Sequence, residues 1–237
     1  MRARTKARRS DRRDGHGGKA LAALPGSVGR SVPVTIENPD DPRRFRAHLP
    51  IGERLPIPED AAPSWSIFPY EGELTVRPLE AAELPEPARH GEAGAAECHE
   101  CRRPEEDFVW TDEHWRLRAF DPPHGLPAVL FLGPRDHHDL TDLPPARAVE
   151  LGPMLQRVER AVLGLGGVGR VHVNRWGDGG AHLPLWLIAR PEGQRQLIGS
   201  TLALWMDLLP PLPDELRADT LHRIATAMAA DGGTAHA

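Results

Sequence analysis

Apolar residues recur along this chain with two different periods, and the change of period marks its elements. Phe108-Val109-Trp110 and Trp115 to Phe120 read as short strands around the turn Thr111-Asp112-Glu113. Ala128 to Leu132 is an unbroken apolar run, as expected of a central strand. Pro144 and Pro145 suit the first turn of a helix. Leu151, Leu155, Val158 and Val162 then recur at helical spacing and predict one apolar stripe. Gly152-Pro153 falls inside that stripe and predicts either a kink or a later helix start. Val168 to Trp176 alternates like a strand, Asp178-Gly179-Gly180 signals a turn, and His182 to Ala189 reads as the returning strand of an antiparallel hairpin. Helical patterns follow over 195–208 and 214–229, separated by Pro210-Pro211-Leu212-Pro213. No internal repeat is visible. This order predicts an α+β domain built on an antiparallel sheet.

Upstream of residue 98 the periodicity fades. Residues 1–30 are charged, Gly-rich and nearly free of large apolar groups, which predicts a disordered basic arm. A Pro-rich linker is expected over 31–64 and an extended strap over 65–97, opening with the aromatic cluster Trp65 to Tyr70. The compact domain is expected over 98–237. The 25 prolines and 23 glycines among 237 residues agree with long stretches lacking regular structure.

Charge changes the picture in one respect. The chain carries a net charge of −5, yet residues 1–19 hold Arg2, Arg4, Lys6, Arg8, Arg9, Arg12, Arg13 and Lys19 against Asp11 and Asp14. The rest is therefore acidic, which argues against a nucleic-acid groove in the main domain and leaves weak contact by the basic arm as the exception. No run approaches the roughly eighteen apolar residues of a membrane span. No apolar segment follows the basic N-terminus, as a secretory signal requires. A cytoplasmic protein is expected. With two cysteines, Cys98 and Cys101, disulfides are not the basis of the fold.

Those cysteines are the first candidate chemistry. In Cys98-His-Glu-Cys101, two thiolates across a two-residue gap can grip one metal ion from a tight turn. A redox pair is the alternative, but such a pair sits at a helix N-terminus after a strand, and Gly91 to Glu97 does not read as that setting. Two more ligands are needed, and the sequence offers His137 or His138 together with His182. In the hairpin, alternation puts His172, Asn174 and Trp176 on one face, and His182, Pro184 and Trp186 on one face, while Leu183, Leu185 and Leu187 point to a core. The plain alternative is that His172 and Asn174 satisfy local hydrogen bonds.

The segment from Val171 through His172, Asn174, Gly177, His182, Pro184 and Trp186 to Pro191 resembles the signature of the histidine-triad (HIT) superfamily, in which three histidines alternate with apolar residues after an Asn- and Gly-containing strand and turn. The upstream CxxC and Pro134-Arg-Asp-His137-His138 are similar to its zinc-containing branches, which include bacterial HIT hydrolases and, more distantly, galactose-1-phosphate uridylyltransferases. The resemblance is closest to actinobacterial HIT-like proteins and covers roughly residues 65–237. It implies a HIT-like fold, with a five-stranded antiparallel sheet and flanking helices, often paired as a homodimer. It implies a zinc ion held by Cys98, Cys101, His137 and His182, with His138 as the alternative to His137. It also implies a nucleotide or other phosphorylated small molecule as ligand, met by Asn174, Arg175, Gly177, Gly179, Gly180 and Trp186.

The departure lies at the nucleophile. In HIT enzymes the second signature histidine attacks phosphorus, which needs an imidazole lone pair. Here that position is Pro184, whose amide nitrogen has no nucleophilic lone pair, and the third position is Trp186, which can donate one hydrogen bond but cannot act as a base. The expectation is a zinc-binding, ligand-binding HIT-like protein to which no catalytic residue is assigned. Two alternatives remain at this point: an active nucleotidyl hydrolase or transferase using His172, and a non-catalytic interaction protein.

Overall fold

The computed structural model describes residues 40, 41, 43–45, 47–49, 70, 71, 75, 76, 85–197, 199–206 and 208–237. All lie within one compact unit, Pro33–Ala237. The arm expected over 1–30 lies outside the described residues, as do most of the linker and the first part of the strap.

The main sheet has six strands: β3 (Trp110–Thr111), β4 (Trp115–Ala119), β5 (Val129–Pro134), β6 (Val168–Asn174), β7 (Leu185–Pro191) and β8 (Thr234–Ala235). Their order is β6-β7-β5-β4-β3-β8, with every neighbouring pair antiparallel. Upstream, β1 (Tyr70–Glu71) and β2 (Thr75–Val76) form a separate antiparallel pair. The α+β antiparallel architecture is as expected, but the sheet has six strands rather than five. The sixth is the chain end, where two residues pair with β3 beyond α4 (Asp214–Ala229). Two residues show no alternation, so the pattern carries no signal for them.

Register assigns the faces. Asn174, Trp186, Phe131 and Arg118 lie directly opposite one another across β6, β7, β5 and β4, and so share one face. Leu187 and Leu130 belong to the other face, as do Leu185, Leu132, Leu117 and Trp110. That second face carries the larger core, which α2 (Pro145–Leu163) and α4 cover together. Phe45, from the expected linker, is fully buried in this core. The Arg44 guanidinium beside it donates to the Leu165 carbonyl.

Helix α2 starts with Pro145, whose missing N–H costs nothing in a first turn. It buries Met154, Val158, Ala161 and Val162, with Leu151 and Leu155 at the margin. The helix runs unbroken through Pro153 instead of starting there. Pro153 is exposed, and Val149, whose carbonyl loses its partner, is 77% exposed, so water can take that carbonyl.

The helix expected over 195–208 is corrected to a 3₁₀ turn, Gly199–Thr201, and one short turn of α3 (Leu202–Trp205). Gly199 has φ +62°, so a right-handed helix cannot run through it from residue 195. Leu197, Leu202 and Met206 instead cap the first face of the sheet, burying Val129 and Ile188.

The hairpin strands are shorter than expected. Trp176 lies beyond the end of β6, and β7 begins at Leu185 rather than His182. Pro184 has no N–H for the ladder, so it sits just before the strand.

Candidate metal centre

The Cys98 loop is built by local chemistry. A 3₁₀ turn at Ala95–Glu97 leads into Cys98, and α1 (His99–Arg102) follows, so both sulfurs project from one tight bend. Gly91 sits beneath it with φ +77°, and a Cβ there would lie 3.0 Å from the Cys98 Cβ. The close approach of residue 91 to this loop therefore requires glycine.

Cys98, Cys101, His137 and His182 offer four donor atoms that all lie within 4.8 Å of one another. Cys98 Sγ is 3.5 Å from His182 Nδ1. Cys101 Sγ is 3.4 Å from His137 Nδ1 and 3.3 Å from His182 Nδ1. A tetrahedral zinc with Zn–S about 2.3 Å and Zn–N about 2.0–2.1 Å sets S···N edges of about 3.5 Å. The four side chains fit that dimension.

The far side of each imidazole decides its chemistry. His182 Nε2 is 2.8 Å from the Pro134 carbonyl, and His137 Nε2 is 3.1 Å from the Gly91 carbonyl. A carbonyl oxygen only accepts, so each Nε2 carries the proton and donates it. In the neutral ring Nδ1 then keeps its lone pair, directed at the sulfurs. Metal-ligating histidines are oriented by outer hydrogen bonds of this kind. Gly133 leaves space for the arrangement: a Cβ there would meet the Leu183 carbonyl at 2.7 Å, beside the His182 ring.

His138 does not join the cluster. Its Nδ1 is 3.8 Å from Asp142 Oδ2, and its carbonyl accepts from the Leu183 amide at 2.8 Å.

Electrostatics describe a site poised against holding negative charge alone. Burial, followed by the neighbouring Cys98 sulfur, pushes the Cys101 thiol up to about 12. Burial pushes the His182 imidazole down from the usual histidine range, which keeps it neutral, against the opposing pull of the Pro134 carbonyl. A divalent cation reverses the thiol's position, because a coordinating thiol is deprotonated outright.

The Gly-rich loop beside the cluster is held from within. Arg175 Nη2 donates to Asp139 Oδ1 at 2.5 Å, and Arg89 Nη1 donates to Asp139 Oδ2 at 2.7 Å. Arg89 also reaches the carbonyls of Gly177 (3.1 Å) and Gly180 (3.4 Å). Burial pushes the Asp139 carboxyl up, but hydrogen bonds from Arg175, Arg89 and the Leu140 amide outweigh it and hold it down at about 2. The His90 amide donates to the Gly179 carbonyl at 3.1 Å. Sequence reasoning did not find Arg89 or Asp139, because a bracket between residues 50 and 36 positions apart leaves no local spacing.

Asn174 ends β6 opposite Trp186. The Trp186 ring lies 4.1 Å from Phe131, 5.1 Å from Trp176 and 5.7 Å from Phe120, centroid to centroid. Arg118 stacks on Phe131 at 3.7 Å. Pro184 borders a cavity of about 20 Å³ with Glu100, Phe108, Arg116, Arg118 and Phe131. That volume suits about one water. Among the described residues, no helix is long and apolar enough to cross a membrane.

No family model matches the chain, and no curated relative does. Among solved structures, it is similar to a zinc-bound histidine triad family protein from Mycobacterium smegmatis, at 20% identity and TM-score 0.41, covering 58% of this chain and 96% of that one. It is similar to a histidine triad protein from Sinorhizobium meliloti at 20% identity and TM-score 0.42, covering 52% and 91%. A uridylyltransferase matches at 20% identity and TM-score 0.37, covering 55% of this chain and 43% of that one. At these scores the likeness is distant, and the site stands on this chain's own side chains. Fold and site together define an α+β protein with a Cys₂His₂ cluster of metal-binding geometry.

Proposed function

We propose that this chain is a zinc-stabilised member of the HIT superfamily that binds a nucleotide or another phosphorylated small molecule without a histidine nucleophile. The observation that carries the zinc reading is the convergence of two sulfurs and two Nδ1 atoms, with both Nε2 atoms donating to backbone carbonyls. Zinc bound there would be held by Cys98, Cys101, His137 and His182. With four protein donors no position is left for substrate, so the ion would supply folding free energy rather than a reaction step. Sequence supports the family reading, through the signature around His182 and the upstream CxxC.

The ligand half rests on the face that carries Asn174 and Trp186. Asn174, Trp186 and the amides of Gly177, Gly179 and Gly180 are the contacts we assign, since turn amides suit anions. Arg175 joins them only by sharing its guanidinium with Asp139. Pro184 stands where the attacking imidazole would be, and neither it nor Trp186 moves a proton. A homodimer in the cytoplasm completes the reading; the exposed edge strand β6, with Val173 on its surface, is available to a second copy.

Metal analysis of the purified full chain together with a thermal-shift panel of nucleotides tests both halves. We expect one zinc per chain and a rise in Tm with at least one nucleotide. A metal-free protein whose Tm ignores added zinc removes the first half, and no response at millimolar nucleotide removes the second.

The second reading is a working enzyme that uses His172, which would have to expose its ring nitrogen to act. His172 Nε2 is buried and has no hydrogen-bond partner among the described residues. It lies opposite Ile188, and burial, with Arg190 nearby, pushes its imidazole down from the usual histidine range. Trapping a nucleotidyl adduct on His172 supports that reading; turnover unchanged in His172→Ala ends it.

A further inference from the structure

Two imidazoles meet outside the Cys₂His₂ cluster. His90 belongs to the segment that closes the Gly-rich loop, and its carbonyl accepts from the Ala181 amide at 3.0 Å. His99 is the first residue of α1, between the two cysteines. Their Nε2 atoms face each other in close contact. The ring centroids are 3.4 Å apart and the planes meet at 73°. Both side chains are exposed. Among the described residues, neither ring is hydrogen-bonded to a carboxylate or a carbonyl, in contrast to His137 and His182.

Two exposed Nε2 atoms brought together can supply the first two ligands of a borderline divalent cation, which imidazole suits. We propose that His90 and His99 form a second metal site, an exchangeable one for a cation such as Zn²⁺, Ni²⁺ or Cu²⁺, with water in the remaining positions.

Both rings must turn and part before they can hold a common ion, since their centroids now lie 3.4 Å apart. Metal–nitrogen bonds of about 2.0–2.1 Å at a tetrahedral angle set the two nitrogens about 3.3 Å apart. The exposed rings part to that distance by side-chain rotation. Arg102 on the same short helix, and Arg103 after it, bring positive charge close and keep the affinity modest. The contrast with the Cys₂His₂ cluster is one of design: four converging donors there, two exposed ones here. The consequence is mechanical. A cation at this site clamps the segment around His90 to the cysteine loop. Gly91, the next residue, supplies the carbonyl that orients His137. The clamp therefore holds an outer support of the first cluster in place. This inference goes beyond the proposed function and does not depend on it.

The test is calorimetric titration of the full chain with Ni²⁺ after its as-purified metal content has been measured. We expect wild type to take up one Ni²⁺ more than H90Q or H99Q does. Each variant should weaken that uptake by about 100-fold or more, because losing one of two linked ligands removes the effective concentration of the pair. H222Q, which alters another exposed histidine, should behave as wild type. H90Q decides the matter, since His90 lies outside the cysteine loop and its loss leaves the tightly held metal in place. No extra Ni²⁺ in wild type, or the same extra Ni²⁺ in H90Q, overturns the proposal. The readout is the difference between variants, so an empty Cys₂His₂ cluster, which would defeat the zinc reading, leaves this result legible.

Discussion

Arg175 is bound to Asp139, its Nη2 2.5 Å from Oδ1, so the one cation within the Gly-rich loop is engaged inside the protein. Arg89 grips the other carboxylate oxygen at 2.7 Å, and Asp139 is only 8% exposed. A buried carboxylate between two guanidiniums fixes the loop, and a phosphate approaching Arg175 competes with it. Asp139→Asn should cost about 1–3 kcal/mol in chemical denaturation, the usual range for leaving charged hydrogen-bond partners unmatched. Hydrogen exchange should quicken across 175–181. Because the Asp139 carboxyl is held at about 2, below its ordinary 3.8, its contribution is fully present above the unfolded value. It is lost as pH falls from about 4 to about 2. The variant's stability profile should be flatter in that window; an unchanged profile rejects the bracket.

The cluster predicts a metal-linked stability. Chelation should lower Tm, and zinc should restore it. His182→Ala removes a ligand, and its affinity loss should exceed the roughly 10–100-fold drop typical of losing an outer-shell partner. His138→Ala should leave metal content unchanged, which separates the two adjacent histidines by mass analysis alone.

His124 makes a pH prediction of the opposite kind. It is 4% exposed, and burial, with Arg217 nearby, pushes its imidazole down to about 4 from the ordinary 6.5. A depressed histidine stabilises the fold while it is neutral in both states, above pH 6.5. That contribution is lost as pH falls from 6.5 to about 4, where the unfolded chain takes the proton first. The loss is at most about 3 kcal/mol. His124→Leu should flatten this part of the denaturation profile; His48, which burial also lowers, keeps a residual slope.

Indole burial separates the tryptophans. Trp110 and Trp115 are fully buried in the main core, and Trp115 Nε1 also donates to Glu150 at 3.0 Å. Each truncation to Ala should cost about 3–5 kcal/mol. Trp176 is 40% exposed, and its loss should cost under about 1 kcal/mol. Equal costs at Trp110 and Trp176 would show that the core is misassigned.

Pro184 sets a chemical prediction. Wild type should leave a nucleoside phosphoramidate intact, since nothing at that position attacks phosphorus. Pro184→His adds an imidazole two residues after His182, and phosphoramidate cleavage should rise above wild type. A folded, metal-loaded variant that stays inert would mean that the face beside Asn174 does not hold nucleotides.

The apolar pattern made α2, α4 and the strands β4 to β7 legible: helical spacing marked the helices, alternation the hairpin strands, and an unbroken apolar run marked β5, which is buried on both faces. It failed at 195–208, where Gly199 breaks the helix and the apolar residues serve a sheet face instead. It also failed at Phe45, a lone aromatic in a Pro-rich stretch whose burial leaves no pattern.

Residue chemistry by itself determined which atoms can bind metal and that Pro184 cannot attack phosphorus, since these are properties of side chains wherever they sit. The tertiary structure decided which atoms meet. It chose His137 over His138 through the Gly91 carbonyl, tied Arg175 to Asp139, brought His90 against His99, and added a sixth strand from the chain end. Apart from His90 and His99, which are nine positions apart, those pairings join residues far apart in the chain, so only packing fixes them.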